Sequence, residues 1–136
     1  MTLPLATITA ALWARLATDT AGADARALLS GGVLTAAQVE GGAAALPPPP
    51  FAVWREGPDT ARTNEMGDGV GDWWVYVPNA DTRLQNQIID ALRALYSPFC
   101  IAYGRVVVGP VGQAATDRAL GGLWARPVTI RFSRRV

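Results

Sequence analysis

The sequence predicts an α+β fold, a mainly antiparallel sheet of about four strands with a central helix and an N-terminal helix packed on one face. Two patterns and one spacing carry that prediction. Residues 72–77 (DWWVYV) alternate large side chains at strand period, placing Trp73, Val75 and Val77 on one face. Residues 84–95 switch to helical period, with Leu84, Ile88, Leu92 and Leu95 on one stripe and Gln85, Gln87, Asp90 and Arg93 turned to water. The connections between strand candidates are short, which favours antiparallel pairing.

The chain has 136 residues, half of them apolar, enough for one domain with its own core. It divides into an N-terminal helical part, residues 1–46, and a sheet with its central helix, residues 51–136. In the first part, Leu5, Ile8, Leu12 and Leu16 form an amphipathic stripe over residues 4–18, with Trp13 beside it and Pro4 in the first turn. A second short helix is expected over Ala23–Leu29, ended by Ser30-Gly31-Gly32. Thr35 and Gln38 have capping-box spacing, so another helical turn is expected up to Glu40. Pro47–Pro50 excludes helix and central strand. The run reads as a stiff extended connector, the other reading being a proline-helix ligand for an aromatic groove.

FAVWRE (Phe51–Glu56) is the first strand candidate. The stretch Gly57–Gly71, with four glycines between its ends and at them, a proline and the charges Asp59, Arg62, Glu65 and Asp68, reads as a long loop awaiting a partner. Thr82 and Gln85 suggest a capping box at the start of the central helix, and Ser97-Pro98 a stop at its end. Ile101–Val108 makes a third strand, and Gly109-Pro110 opens an irregular segment. In the closing RPVTIRFSRRV, Val128, Ile130 and Phe132 alternate with Thr129, Arg131 and Ser133, and Pro127 points to a strand start or a sheet edge.

The composition restricts the chemistry. There is no histidine, which removes the usual general base, the histidine-dependent triads and histidine-ligated metals. The single cysteine, Cys100, sits among apolar neighbours and reads as a small core residue; no zinc cluster or intrachain disulfide can form. No catalytic residue, cofactor site or metal site is assigned, and the chain is not expected to be an enzyme. Gly67–Gly71 mimics a phosphate-binding loop but precedes a strand, where the mechanism needs a helix N-terminus. Glu65, Asp68 and Asp72 could gather calcium but do not match an EF-hand spacing.

The formal net charge of +1 gives no long-range pull toward nucleic acid or a membrane. No signal peptide or membrane span is expected, since Arg15 and Asp19 interrupt the mildly apolar N-terminus. All twelve basic residues are arginine, an effect that a coding bias alone would produce. Arg126, Arg131, Arg134 and Arg135 cluster near the C-terminus, with Arg105 and Arg118 before them. Phosphate contact, salt bridges to a neighbouring subunit and a solvated sheet face are all compatible with that cluster.

The order of elements resembles a known family. A helix carrying ALWARLATD leads through prolines to FAVWRE, a glycine-rich stretch, DWWVYV, the helix LQNQIIDALRAL and a last strand RPVTIRFSRRV. This arrangement, over most of the chain, is similar to the tail terminator (tail completion) proteins of long-tailed bacteriophages. The resemblance implies a virion protein at the head–tail junction, assembled in the host cytoplasm as a homohexameric ring. Such a ring caps the tail tube, stops its polymerisation and meets the head connector or neck protein. Implied partners are further copies of the chain, the tail tube protein, the connector and, non-specifically, the DNA in the lumen. Arg62, Glu65, Asp68, Arg131 and Arg134 are then expected at subunit or tube contacts, and Arg118 and Arg135 toward the lumen. A head-completion protein of the neck and, from another class, a small DNA-binding module are the alternatives.

Overall fold

The computed structural model describes residues 5–40, 46–61, 66–97, 100–101 and 104–135. The fold is α+β, with a sheet larger than the sequence suggests. Helices α1 (Leu5–Ala17) and α2 (Ala23–Leu28) come first, followed by strand β1 (Val33–Thr35) and the single turn α3 (Ala36–Val39). Next come the long strands β2 (Phe51–Ala61) and β3 (Met66–Val77) and the central helix α4 (Thr82–Tyr96). Strands β4 (Cys100–Ile101), β5 (Gly104–Val111), β6 (Ala115–Asp117) and β7 (Leu123–Arg135) complete the chain. All seven strands join one sheet in the order β1-β2-β3-β7-β5-β4, with β6 also paired to β7. Among the described residues only β1 and β2 pair in parallel; the remaining pairings are antiparallel. Through β1, the N-terminal part contributes to the sheet as well as to the helical layer.

The main core lies between one sheet face and the helices. Ile8, Leu12 and Leu16 of α1 and Ile88, Leu92 and Leu95 of α4 pack against Trp73, Val75, Val77, Val128 and Ile130. The three expected β3 residues do share this face. Trp13 of α1 stacks on Trp73 at 5.8 Å between ring centroids, and Trp54 of β2 meets Trp73 in a tilted contact at 5.1 Å. Helix ends are tied by side chains: Arg26 Nη1 donates to the carbonyls of Leu16 and Asp19, both at 2.7 Å, and closes the C-terminus of α1.

Several sequence expectations are overturned. The stretch Gly57–Gly71 is not a loop; its described residues extend β2 and β3 as the arms of a hairpin. The glycines serve close approach, not turning. A Cβ at Gly69 would enter the Phe132 ring, and one at Gly71 would enter the Trp54 ring, so both aromatics lie across the bare strand. The second correction concerns α4, whose N-cap is Asp81, not Thr82: the Asp81 carboxylate accepts from the Leu84 amide at 3.0 Å. Gln85 is therefore released from capping. It is fully buried, not turned to water, and its amide donates to the Val75 carbonyl at 3.0 Å. The Thr35–Gln38 capping box, by contrast, forms as its spacing predicts.

The third correction is Pro127, which sits inside β7, between β3 and the β5–β6 side of the sheet. It is tolerated because its own edge falls between partners: β5 last pairs at Val128, and β6 first pairs at Ala125. The Pro127 carbonyl accepts there from the Gly112 amide at 2.8 Å, so the missing N–H points into a gap where no ladder bond is lost. Gly109-Pro110, expected to begin an irregular segment, continues β5 with a register shift between Val108 and Val111.

Candidate assembly surface

The sheet's second face is finished at one end only. There, Phe51, Val53, Tyr76 and Ala125 meet Val39 of α3 and Leu120 in a second, smaller core. Tyr76 stacks on Phe51 at 4.9 Å. A polar tie borders this cluster. The Tyr76 hydroxyl donates to Asp117 Oδ2 at 2.5 Å and accepts from Arg55 Nη2 at 3.3 Å, while Asp117 Oδ1 accepts from the Ala119 amide at 3.1 Å. Burial first, and the Asp117 carboxylate second, push the Tyr76 phenol up to about 12. A phenol held protonated and bonded on both sides fastens β6 to the sheet and is no general base at neutral pH.

Beyond this tie the second face is polar. Asp72 and Thr129 pair across β3 and β7, and Thr129 Oγ1 donates to Asp72 Oδ1 at 2.7 Å. Arg131 follows, level with Val70 on β3 and Val107 on β5. Arg131 is exposed and makes no ion pair among the described residues. Val107, beside it, is 45% exposed, a large apolar side chain that this face leaves in water. The alternation of Val128, Ile130 and Phe132 with Thr129 and Arg131 therefore divides β7 between core and open surface as the pattern predicts.

The sheet edges are unfinished too. β1 covers only Ala52–Trp54 of the eleven-residue β2, and β4 covers only Gly104 and Arg105 of β5. Arg55–Ala61 and Val106–Val108 thus have a strand on one side only, among the described residues. Unpaired strand edges of this length are templates for another strand.

The residues expected at interfaces are distributed unevenly. Arg62 and Glu65 lie outside the described residues, and with Glu65 goes the calcium trio. For Asp68, Arg134 and Arg135 the backbone is described and the side chains are not, and the same is true of Cys100. The register places Asp68 opposite Ser133 and Gly67 opposite Arg134, so positions 68, 131 and 134 come together at the hairpin end of the sheet. Arg118 does not join them. It is exposed in the short turn Arg118–Leu120 after β6, whereas Arg135 pairs with Met66 at the far end of β7. Twelve strand positions separate those two ends, roughly 40 Å. Arg126, grouped with this cluster in sequence, turns to the helical side and donates to Asn86 Oδ1 at 3.1 Å and to the Gly112 carbonyl at 2.8 Å. Gly67–Gly71 is part of the ladder between β2 and β7, and its amides form no anion cradle.

Sequence reasoning missed the Arg55–Tyr76–Asp117 tie, whose members are 21 and 41 residues apart and follow no local spacing. No group of three or more metal-ligating side chains occurs among the described residues. No helix among them is long and apolar enough to cross a membrane. No family model matches the chain, and no curated protein matches it in sequence.

Proposed function

We propose that this chain is a structural protein of a long-tailed phage virion, a ring-former of the tail terminator type. In this reading it caps the tail tube at its head-proximal end, stops tube polymerisation and offers its other surface to the head connector. It does no chemistry of its own. The observation that carries the reading is a sheet whose two edges are largely unpaired among the described residues while one face is sealed by three helices. A subunit with two different free edges favours head-to-tail contacts, and such contacts close into a ring when the rotation between copies permits. The order of elements, similar to that of tail terminators, supplies the particular place in the virion. The exposed Arg131 and the polar half-face around it suit a subunit contact or non-specific contact with DNA in the lumen.

Assembly without the chain tests the proposal. Tails made in its absence are expected to overgrow beyond their normal length, and adding the purified chain should restore the length and the joining to heads. Tails of normal length that fail only to join heads would favour a head-completion protein of the neck. Charge reversal at Arg131 should reduce assembled, infectious particles; unchanged yield and infectivity would remove Arg131 from the interface. Strong salt-sensitive DNA binding by the isolated monomer would instead point to a DNA-binding module.

A further inference from the structure

We infer that neighbouring copies join edge to edge, the free edge of β2 in one copy pairing antiparallel with the free edge of β5 in the next. The inference rests on the ring reading above and specifies which atoms make the ring contact.

The direction of each backbone group follows from two hydrogen bonds. The Ala52 amide donates outward to the Gly32 carbonyl at 3.2 Å, on the β1 side of β2. Because backbone groups alternate sides along a strand, Trp54 and Glu56 point outward as well. Past the two-for-one register shift at Gly57–Pro58, Asp59 and Ala61 take up the outward positions. Across the sheet, the Pro127 carbonyl faces the β5 side, where it accepts from Gly112. Thr129 and Arg131 share that direction, and Ile130 and Phe132 point to β3. Their partners Val108 and Val106 must therefore direct their own amides and carbonyls away from β7, at the sheet's margin.

The two margins match in height and direction. Glu56, Gly71, Ile130 and Val108 form one row across the sheet, and Asp59, Gly69, Phe132 and Val106 form another. The free groups on the two sides are thus level. Three antiparallel steps lead from β2 to β5, so the two strands run in opposite directions. A copy rotated about an axis along the strands keeps its direction, and its β2 lies antiparallel to the first copy's β5. Proline is placed where it does not interfere: Pro58 lies in the register shift, and Glu56, Asp59 and Ala61 all retain their N–H.

The test uses the full chain, with native mass spectrometry and light scattering at high concentration and site-resolved hydrogen exchange. The chain is expected to form closed oligomers in which the amides of Glu56 and Val108 exchange slowly, becoming fast on dilution to monomer. Glu56→Pro removes an outward amide and no bond to β3, so it should keep the parent's circular dichroism and weaken association at least about tenfold. Glu56→Ala, which keeps the amide, should associate like the parent. Oligomers that form equally well with Glu56→Pro, or in which both amides exchange freely, would overturn the edge pairing and leave the ring reading intact. Should the proline variant misfold, the exchange of the two amides in the unaltered chain decides. A chain that stays monomeric at every concentration would overturn the ring reading and the edge pairing together.

Discussion

Tyr96→Phe removes one oxygen at the point where three elements meet. Tyr96 is the last residue of α4 and is fully buried. Its hydroxyl accepts from Trp73 Nε1 of β3 at 2.9 Å and donates to the Leu12 carbonyl of α1. Leu12 lies inside α1, so its carbonyl keeps an intrahelical bond when the hydroxyl goes. The Trp73 indole has no such reserve and becomes a buried donor without a partner, a loss of about 1–3 kcal/mol. Adding about 1 kcal/mol for the second bond gives roughly 2–4 kcal/mol of destabilisation. Unfolding entropy of ~2.1 cal/mol/K per residue converts that range to a fall of roughly 7–14 °C in Tm for a chain of this length. Urea titration followed by tryptophan fluorescence measures the free energy, and differential scanning calorimetry the Tm. A double-mutant cycle with Trp73→Phe separates the bond from ring packing. A loss under about 0.5 kcal/mol with an unchanged Tm would refute the assignment of this hydroxyl as the link between α1, β3 and α4.

Two further predictions concern pH and helix capping. Tyr76 is held at about 12, and burial also raises Tyr96 above the ordinary phenol value. In the unfolded chain both ionise near pH 10, so between about 10 and 12 the unfolded state binds fewer protons and stability falls as pH rises. Stability set by these groups is fully present below about pH 10, and Tyr76→Phe should remove up to about 2–3 kcal/mol of the alkaline loss while leaving that of Tyr96. Denaturation curves across the alkaline range check this; an identical pH profile in Tyr76→Phe would contradict it. At the start of α4, Asp81→Ala should cost about 1 kcal/mol, whereas Thr82→Ala should cost far less, because the Thr82 hydroxyl reaches only the Ala80 carbonyl at 3.4 Å. The reverse order in urea titrations would restore the capping box expected from the sequence.

Patterns confined to a few consecutive residues were legible in the sequence. Trp73, Val75 and Val77 face one core, and Ile8, Leu12 and Leu16 make one helical stripe, because side-chain direction is set by the local backbone period. The division of β7 into Val128, Ile130 and Phe132 against Thr129 and Arg131 follows from the same rule. Misreadings arose where one residue type serves two purposes. Glycine marks turns in most sequences, but Gly69 and Gly71 are absent side chains that Phe132 and Trp54 fill from neighbouring strands. Gln85 has the spacing of a cap and the burial of a core residue, and the choice depended on Asp81 having taken the cap first.

The candidate surface was legible as a set of charged positions, Arg62, Glu65, Asp68, Arg118, Arg131, Arg134 and Arg135, without their arrangement. Tertiary pairing set Arg131 level with Val70 and Val107, joined Arg126 to Asn86 on the helical side and left Arg118, in the turn after β6, far from Arg135 at the end of β7. The sequence alone determined the α+β class, the positions of α1, α2 and α4 and the faces of the central strands, all consequences of short-range periodicity. Strand order, the position of Pro127 within the sheet and the bare margins of β2 and β5 were decided by the tertiary structure. Those features depend on which distant strands become neighbours, and a hydrogen-bonded edge is defined by the partner beside it, not by the residues within it.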